Sequence, residues 1–82
     1  MNKKADKELR FAFGMQVKKL RLAKGFSMRG FANEADIKYS QVVRIENGII
    51  GHTITTVYKI AETLNVSLKD LFDFKYATLV KG

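Results

Sequence analysis

The chain contains no cysteine and a single histidine, His52. Disulfides and thiolate chemistry are therefore excluded, and one histidine with no thiol beside it does not make a metal site. His52 reads as a loop residue. No apolar run is longer than a few residues, which excludes a transmembrane helix. The N-terminus, MNKKADKEL, is basic but has no apolar stretch behind it, so it does not read as a secretory signal. A soluble cytoplasmic protein is the expectation. The glycines are scattered rather than gathered into a phosphate-cradling loop after a strand. Glu34, Asp36, Glu46, Glu62, Asp70 and Asp73 read as caps and ion pairs rather than as a catalytic pair. No catalytic residue, metal or cofactor is expected, and an enzyme is not expected.

Acids are scarce relative to bases: 8 Asp and Glu stand against 15 Lys and Arg, a net charge of +7. Residues 1–51 hold 11 bases and 5 acids, a net +6, whereas residues 52–82 carry only +1. Charge alone fits a solubilising surface more simply, but its concentration on the half that carries the motif at residues 31–48 turns the reading toward a polyanion-binding surface. The 82 residues make one domain, and their 46% hydrophobic content is enough for a packed core. A chain this short buries roughly 60–65% of its unfolded surface, so its stability should be modest.

The chain is organised around residues 31–48, FANEADIKYSQVVRIENG. Spacing divides this stretch into two short helices and a tight turn. Phe31, Ala32 and Ala35 share one face of the first, Ile37 follows the turn, and Val42 with Ile45 forms the apolar face of the second. Asp36, at the turn, is among the few non-glycine types that tolerate a left-handed backbone. Lys38, Tyr39, Ser40, Gln41, Val43, Arg44 and Asn47 point outward, with no acid before Glu46. Hydrogen-bond donors and a cation on an exposed helix suit the major groove of DNA.

These residues resemble the helix-turn-helix of the Cro/repressor (XRE) family. The likeness runs without a gap over residues 14–72, through VKKLRLAKGFS, FANEADI, VVRIENG and KIAETLNVSLKDLF. It implies an all-α fold, a compact five-helix lambda-repressor-like DNA-binding domain. The expected division is a flexible basic N-terminus at 1–5, the DNA-binding domain at 6–72 and a tail at 73–82.

Helix 1 should start near Asp6 and run to Lys24, with Gly25 as its stop. Leu9, Phe13, Val17 and Leu20 form its core stripe. Gly14 inside that helix points to close packing. Phe11, Met15 and Leu22 form a second apolar stripe nearly opposite, which needs another partner. Ser27 should cap helix 2 (28–35), where Gly30 is unusual and fits close approach of another backbone. Helix 3 should run over 39–47. Ile49 and Ile50 are expected to tuck under helix 4. Thr53 should cap that helix, with Ile54, Val57, Ile60, Ala61 and Leu64 buried and Asn65 closing it. Ser67 and Asp70 are spaced as a capping box for a short helix 5. Beyond it, Phe72, Phe74, Tyr76, Thr78 and Val80 alternate as a short strand would.

The resemblance also assigns roles. Tyr39 and Ser40 would reach base edges, and Arg44 is the candidate for a bidentate contact to guanine. Val43 would meet a thymine methyl, and Gln41 would face helix 2 or the phosphates. Lys38 and Asn47 would hold phosphates at the two ends of helix 3. Family members usually start helix 2 with a glutamine that holds a phosphate. Here the residue is Met28, which leaves its backbone N–H and the charge of Arg29 for that work. The usual turn glycine is Asp36, which puts an acid near the DNA-facing surface. Arg21 and Glu46 would form an ion pair joining helix 1 to the end of helix 3.

The implied function is a sequence-specific transcriptional regulator, a repressor that binds a palindromic operator in double-stranded DNA as a homodimer. Phe11, Met15 and Leu22, or the tail through Phe74, Tyr76 and Val80, would supply the dimer contact. The tail could instead fold back over helix 1 within one chain. Two alternatives remain at this level: an antitoxin that binds DNA and neutralises a toxin protein, and a protein-binding adaptor.

Overall fold

The computed structural model describes residues 3–49 and 53–74. Among them are five helices and no strand: α1 Lys3–Ala23, α2 Met28–Ala35, α3 Tyr39–Glu46, α4 Ile54–Leu64 and α5 Leu68–Leu71. Short side chains fix most of the boundaries. Ser27 accepts a hydrogen bond from the Gly30 N–H, Thr53 from Thr56, and Ser67 from Asp70. Each thereby satisfies a donor that the first helical turn leaves without an intrahelical partner. Asp36 and Asn65 end α2 and α4 in left-handed conformation, each at φ 57°. Their N–H groups return to the carbonyls of the preceding turn, which satisfies acceptors at the helix end.

The helices enclose one core. Phe13 and Val17 come from α1, Phe31, Ala32 and Ala35 from α2, and Val42 and Ile45 from α3. Val57, Ile60, Ala61 and Leu64 of α4 and Leu71 of α5 complete it. Each of the larger side chains contributes about 1.5–3 kcal/mol by leaving water. Leu20, Phe26, Met28 and Ile37 pack against its edge.

The crossing of α1 over α3 is close. A Cβ on Gly14 would collide with the Ile45 carbonyl oxygen and come within 3.0 Å of the Glu46 backbone. Where α3 ends, Gly48 has φ 69°, and a Cβ there would lie 2.8 Å from the Phe11 Cα. Both glycines let backbone meet backbone, so α3 is set rigidly against α1. Gly30 has a different explanation from close approach of another backbone, because its nearest neighbour is the cap hydroxyl of Ser27 at 3.1 Å.

Four expectations need correction. α1 starts at Lys3 rather than Asp6, and Ala5 is buried, so the N-terminus from Lys3 onward belongs to the domain. Asp6 lies within the first turn and pairs with Arg10 at 3.2 Å. Ile54 is 75% exposed instead of buried. It lies about 70° around the helix from the centre of the stripe formed by Val57, Ile60, Ala61 and Leu64. Ile49 is exposed rather than tucked under α4; its carbonyl accepts from Arg10 Nη1 at 2.8 Å. Ile50, His52 and the tail from residue 75, with its expected strand, lie outside the described residues. Within them, Phe74 turns back toward the core instead of extending, with its N–H donating to the Phe72 carbonyl.

Candidate nucleic-acid interface

Two short helices and their turn build the site. The αL geometry of Asp36 reverses the chain, and Ile37 packs at the core edge. Lys38 then stands as the N-cap of α3 in extended conformation, without a side-chain cap bond. Because Val42, Ile45 and Glu46 are the buried residues of α3, its other face is presented outward.

Glu46 would oppose a polyanion, and the fold removes it from the surface. Arg21 donates from Nε to Glu46 Oε2 at 2.6 Å and from Nη2 to Oε1 at 3.0 Å. Its Nη1 donates to the Phe26 carbonyl at 2.8 Å. Each residue is only 5% exposed. The pair is bidentate and charge-assisted, the strong geometry for a guanidinium and a carboxylate. It neutralises the acid of α3 while tying that helix to α1.

What remains outside is basic and polar. Lys38, Tyr39, Ser40 and Arg44 are exposed, and Val43 is half-buried. Gln41 is half-buried and lines a cleft together with Asp36, Ile37, Lys38, Thr56 and Lys59. Asn47 is exposed, but its Nδ2 donates back to the Val43 carbonyl at 2.8 Å, so part of its donor capacity serves the helix end. The Met28 side chain packs against the core edge, leaving its backbone at the start of α2. Arg29, exposed beside it, lies over the Tyr39 ring with Cζ 4.2 Å from the centroid.

A family model described as helix-turn-helix matches residues 17–71. The chain belongs to that family, the XRE-type helix-turn-helix proteins. It is 34% identical over 67 residues to the control protein C.BamHI of Bacillus amyloliquefaciens, covering 80% of this chain and 83% of that one. The crystal structure of the restriction-modification controller protein C.AhdI from Aeromonas hydrophila superposes with a TM-score of 0.73. The two are 30% identical, and the match covers 78% of this chain and 96% of C.AhdI. SinR, a master regulator for biofilm formation crystallised in complex with DNA, matches with a TM-score of 0.71 at 29% identity, over 74% of this chain and 98% of that one. As a helix-turn-helix protein of this type, the chain is a DNA-binding regulator and not an enzyme.

Sequence reasoning missed Lys59 as part of this helix-turn-helix surface. From α4 its Nζ donates to the Asp36 carbonyl at 3.3 Å and lies 3.8 Å from the Asp36 carboxylate. It offsets the acid that stands where the family usually has glycine. Only the distance across the α2–α4 packing reveals it, and that is not a local pattern. The outer face of α4 and α5 was missed as well, where Ile54, Tyr58 and Leu68 are exposed apolar side chains.

The proposed dimer residues fall into two groups. Phe11, Met15 and Leu22 are 57%, 48% and 57% exposed on the far side of α1. Phe74 is half-buried, with its ring centroid 6.5 Å from that of Phe13 and 6.2 Å from that of Phe72. Gln16 Nε2 donates to the carbonyls of Asp70 and Asp73, holding the start of the tail against α1. Tyr76 and Val80 lie outside the described residues. No helix among the described residues is long and apolar enough to cross a membrane.

Proposed function

We propose that this protein is a sequence-specific transcriptional repressor that binds a palindromic operator as a homodimer, acting in the cytoplasm. The observation that carries the reading is the outward face of α3. It presents Lys38, Tyr39, Ser40 and Arg44 while Arg21 holds the one acid of that helix inside. Arg44 takes guanine O6 and N7, and Tyr39, Ser40 and Val43 meet neighbouring base edges. Lys38, Gln41, Asn47, Arg29 and the backbone N–H of Met28 hold phosphates and set the register.

One recognition helix reads only a few base pairs, so a specific site calls for two copies, with half-sites about 34–36 Å apart. Among the described residues, two exposed apolar faces are available for that contact: Phe11, Met15 and Leu22 on α1, and Ile54, Tyr58 and Leu68 on α4 and α5. Likeness to C.BamHI and C.AhdI, both named as controllers, favours a regulator of restriction-modification genes over a toxin-neutralising antitoxin. Selecting bound duplexes from a random pool with the full chain tests the reading. A two-fold symmetric consensus is the expected result, and a pool that stays random after repeated rounds would refute it.

A further inference from the structure

The contact between Arg29 and Tyr39 joins two roles that are otherwise separate. Ser27 caps the first turn of α2 and so fixes the backbone from which Arg29 projects. Arg29 Cζ stands 4.2 Å from the centroid of the Tyr39 ring, well within cation–π range. Tyr39 is the first residue of α3 and stays 40% exposed beneath this cover. An exposed tyrosine would ordinarily sample several rotamers and lose that freedom on binding. A ring already held by a flat guanidinium loses less, and only arginine offers the flat partner.

With one face of the ring covered, the rest of it is an apolar surface on the recognition helix. Val43 lies one turn further along the same face of α3. In the major groove, the apolar group that a base edge presents is the C5 methyl of thymine. Arg29 is also exposed, and its guanidinium carries several N–H donors suited to a phosphate.

We propose that Arg29 and Tyr39 act as one stacked unit that reads a pyrimidine C5 methyl, with Arg29 as the positioning residue for the ring and Val43 as its flank. This inference rests on the DNA-binding reading above. It makes Arg29 a determinant of specificity as well as a source of charge.

The test uses the full chain and its selected operator, with each thymine replaced singly by uracil, which removes only the methyl. At one position per half-site the wild-type protein should lose about fourfold in affinity, the worth of one buried methyl. In Tyr39→Leu that sensitivity should shift or shrink. In Arg29→Lys the charge and the salt dependence should persist while the methyl effect falls below twofold. The stack itself has a readout without DNA: the Arg29 side-chain protons should resonate upfield in the free protein and return to ordinary positions in Tyr39→Leu. An undiminished methyl effect in Arg29→Lys, or ordinary Arg29 resonances in the wild type, would overturn the proposal. Tight operator binding with no uracil-sensitive thymine would overturn it too, and would leave the DNA-binding reading standing. A chain that selects no duplex would overturn both.

Discussion

Arg21 and Glu46 meet across the α1–α3 crossing with both carboxylate oxygens engaged, at 2.6 and 3.0 Å. A buried pair of this kind loses most when only one member is removed, because the other is left charged without compensation. Glu46→Gln should therefore lower the unfolding free energy by about 3 kcal/mol in urea. The exposed Glu34→Gln should stay within about 0.5 kcal/mol. Equal midpoints for the two variants would show that the pair contributes no more than a solvated one.

Gly14→Ala reverses the usual rule for a glycine in a helix. Helix propensity alone favours alanine by about 0.5–1 kcal/mol. Here the added methyl would run into the Ile45 carbonyl, which is backbone and cannot swing aside. A net loss of about 1–3 kcal/mol is expected from overpacking, read as a lower denaturation midpoint. A stabilised variant would mean that α1 and α3 separate more easily than the structure implies.

Asp36→Gly should leave the fold intact and raise DNA affinity. Glycine takes the φ of 57° without strain, and the acid beside Lys59 disappears from the DNA-facing side. Asp36 is almost wholly exposed, so the change should be a few-fold at low salt and should shrink as salt is added. Unchanged affinity at every ionic strength would place Asp36 away from the phosphates.

How much of this was legible in the chain depended on the range of the interactions involved. Ser27, Thr53, Ser67, Asp36 and Asn65 act on backbone within four residues of themselves, so their types marked the helix ends. Phe13, Val17 and Leu20 of α1 and Val57, Ile60, Ala61 and Leu64 of α4 followed from periodicity, as did the exposed stripe of Phe11, Met15 and Leu22, whereas Leu9 is only half-buried and stands outside the core. Ile54 did not, because a residue in the first turn at the edge of a stripe is buried or exposed according to its neighbours. Lys59 reaching Asp36, Arg10 reaching Ile49 and Arg29 covering Tyr39 are all contacts between elements, and no local spacing announces them. The start of α1 at Lys3 escapes a local reading for a related reason. A basic run looks frayed until Ala5 is seen packed beneath it.

Self-association should appear in sedimentation equilibrium as a monomer–dimer equilibrium of the full chain. Met15→Glu and Tyr58→Glu place a charge on each of the two exposed apolar faces without disturbing the core. The substitution on the contacting face should shift the chain toward monomer by tenfold or more, about 1.4 kcal/mol, and the other should not. If neither does, truncation after Phe74 tests the tail. A wild-type chain that is monomeric at every concentration, and binds one half-site as tightly as two, would contradict the dimer.

Whether α3 reads base sequence turns on Arg44. Binding of the wild type, Arg44→Ala and Lys38→Ala should be measured on the selected operator and on single-base variants of it over a range of salt. Arg44→Ala should cost about 1–3 kcal/mol on the operator and erase discrimination at one base pair per half-site. Lys38→Ala should weaken every duplex alike and reduce the salt slope by about one. If Arg44→Ala weakens all duplexes equally and leaves the preference intact, α3 does not read sequence through Arg44.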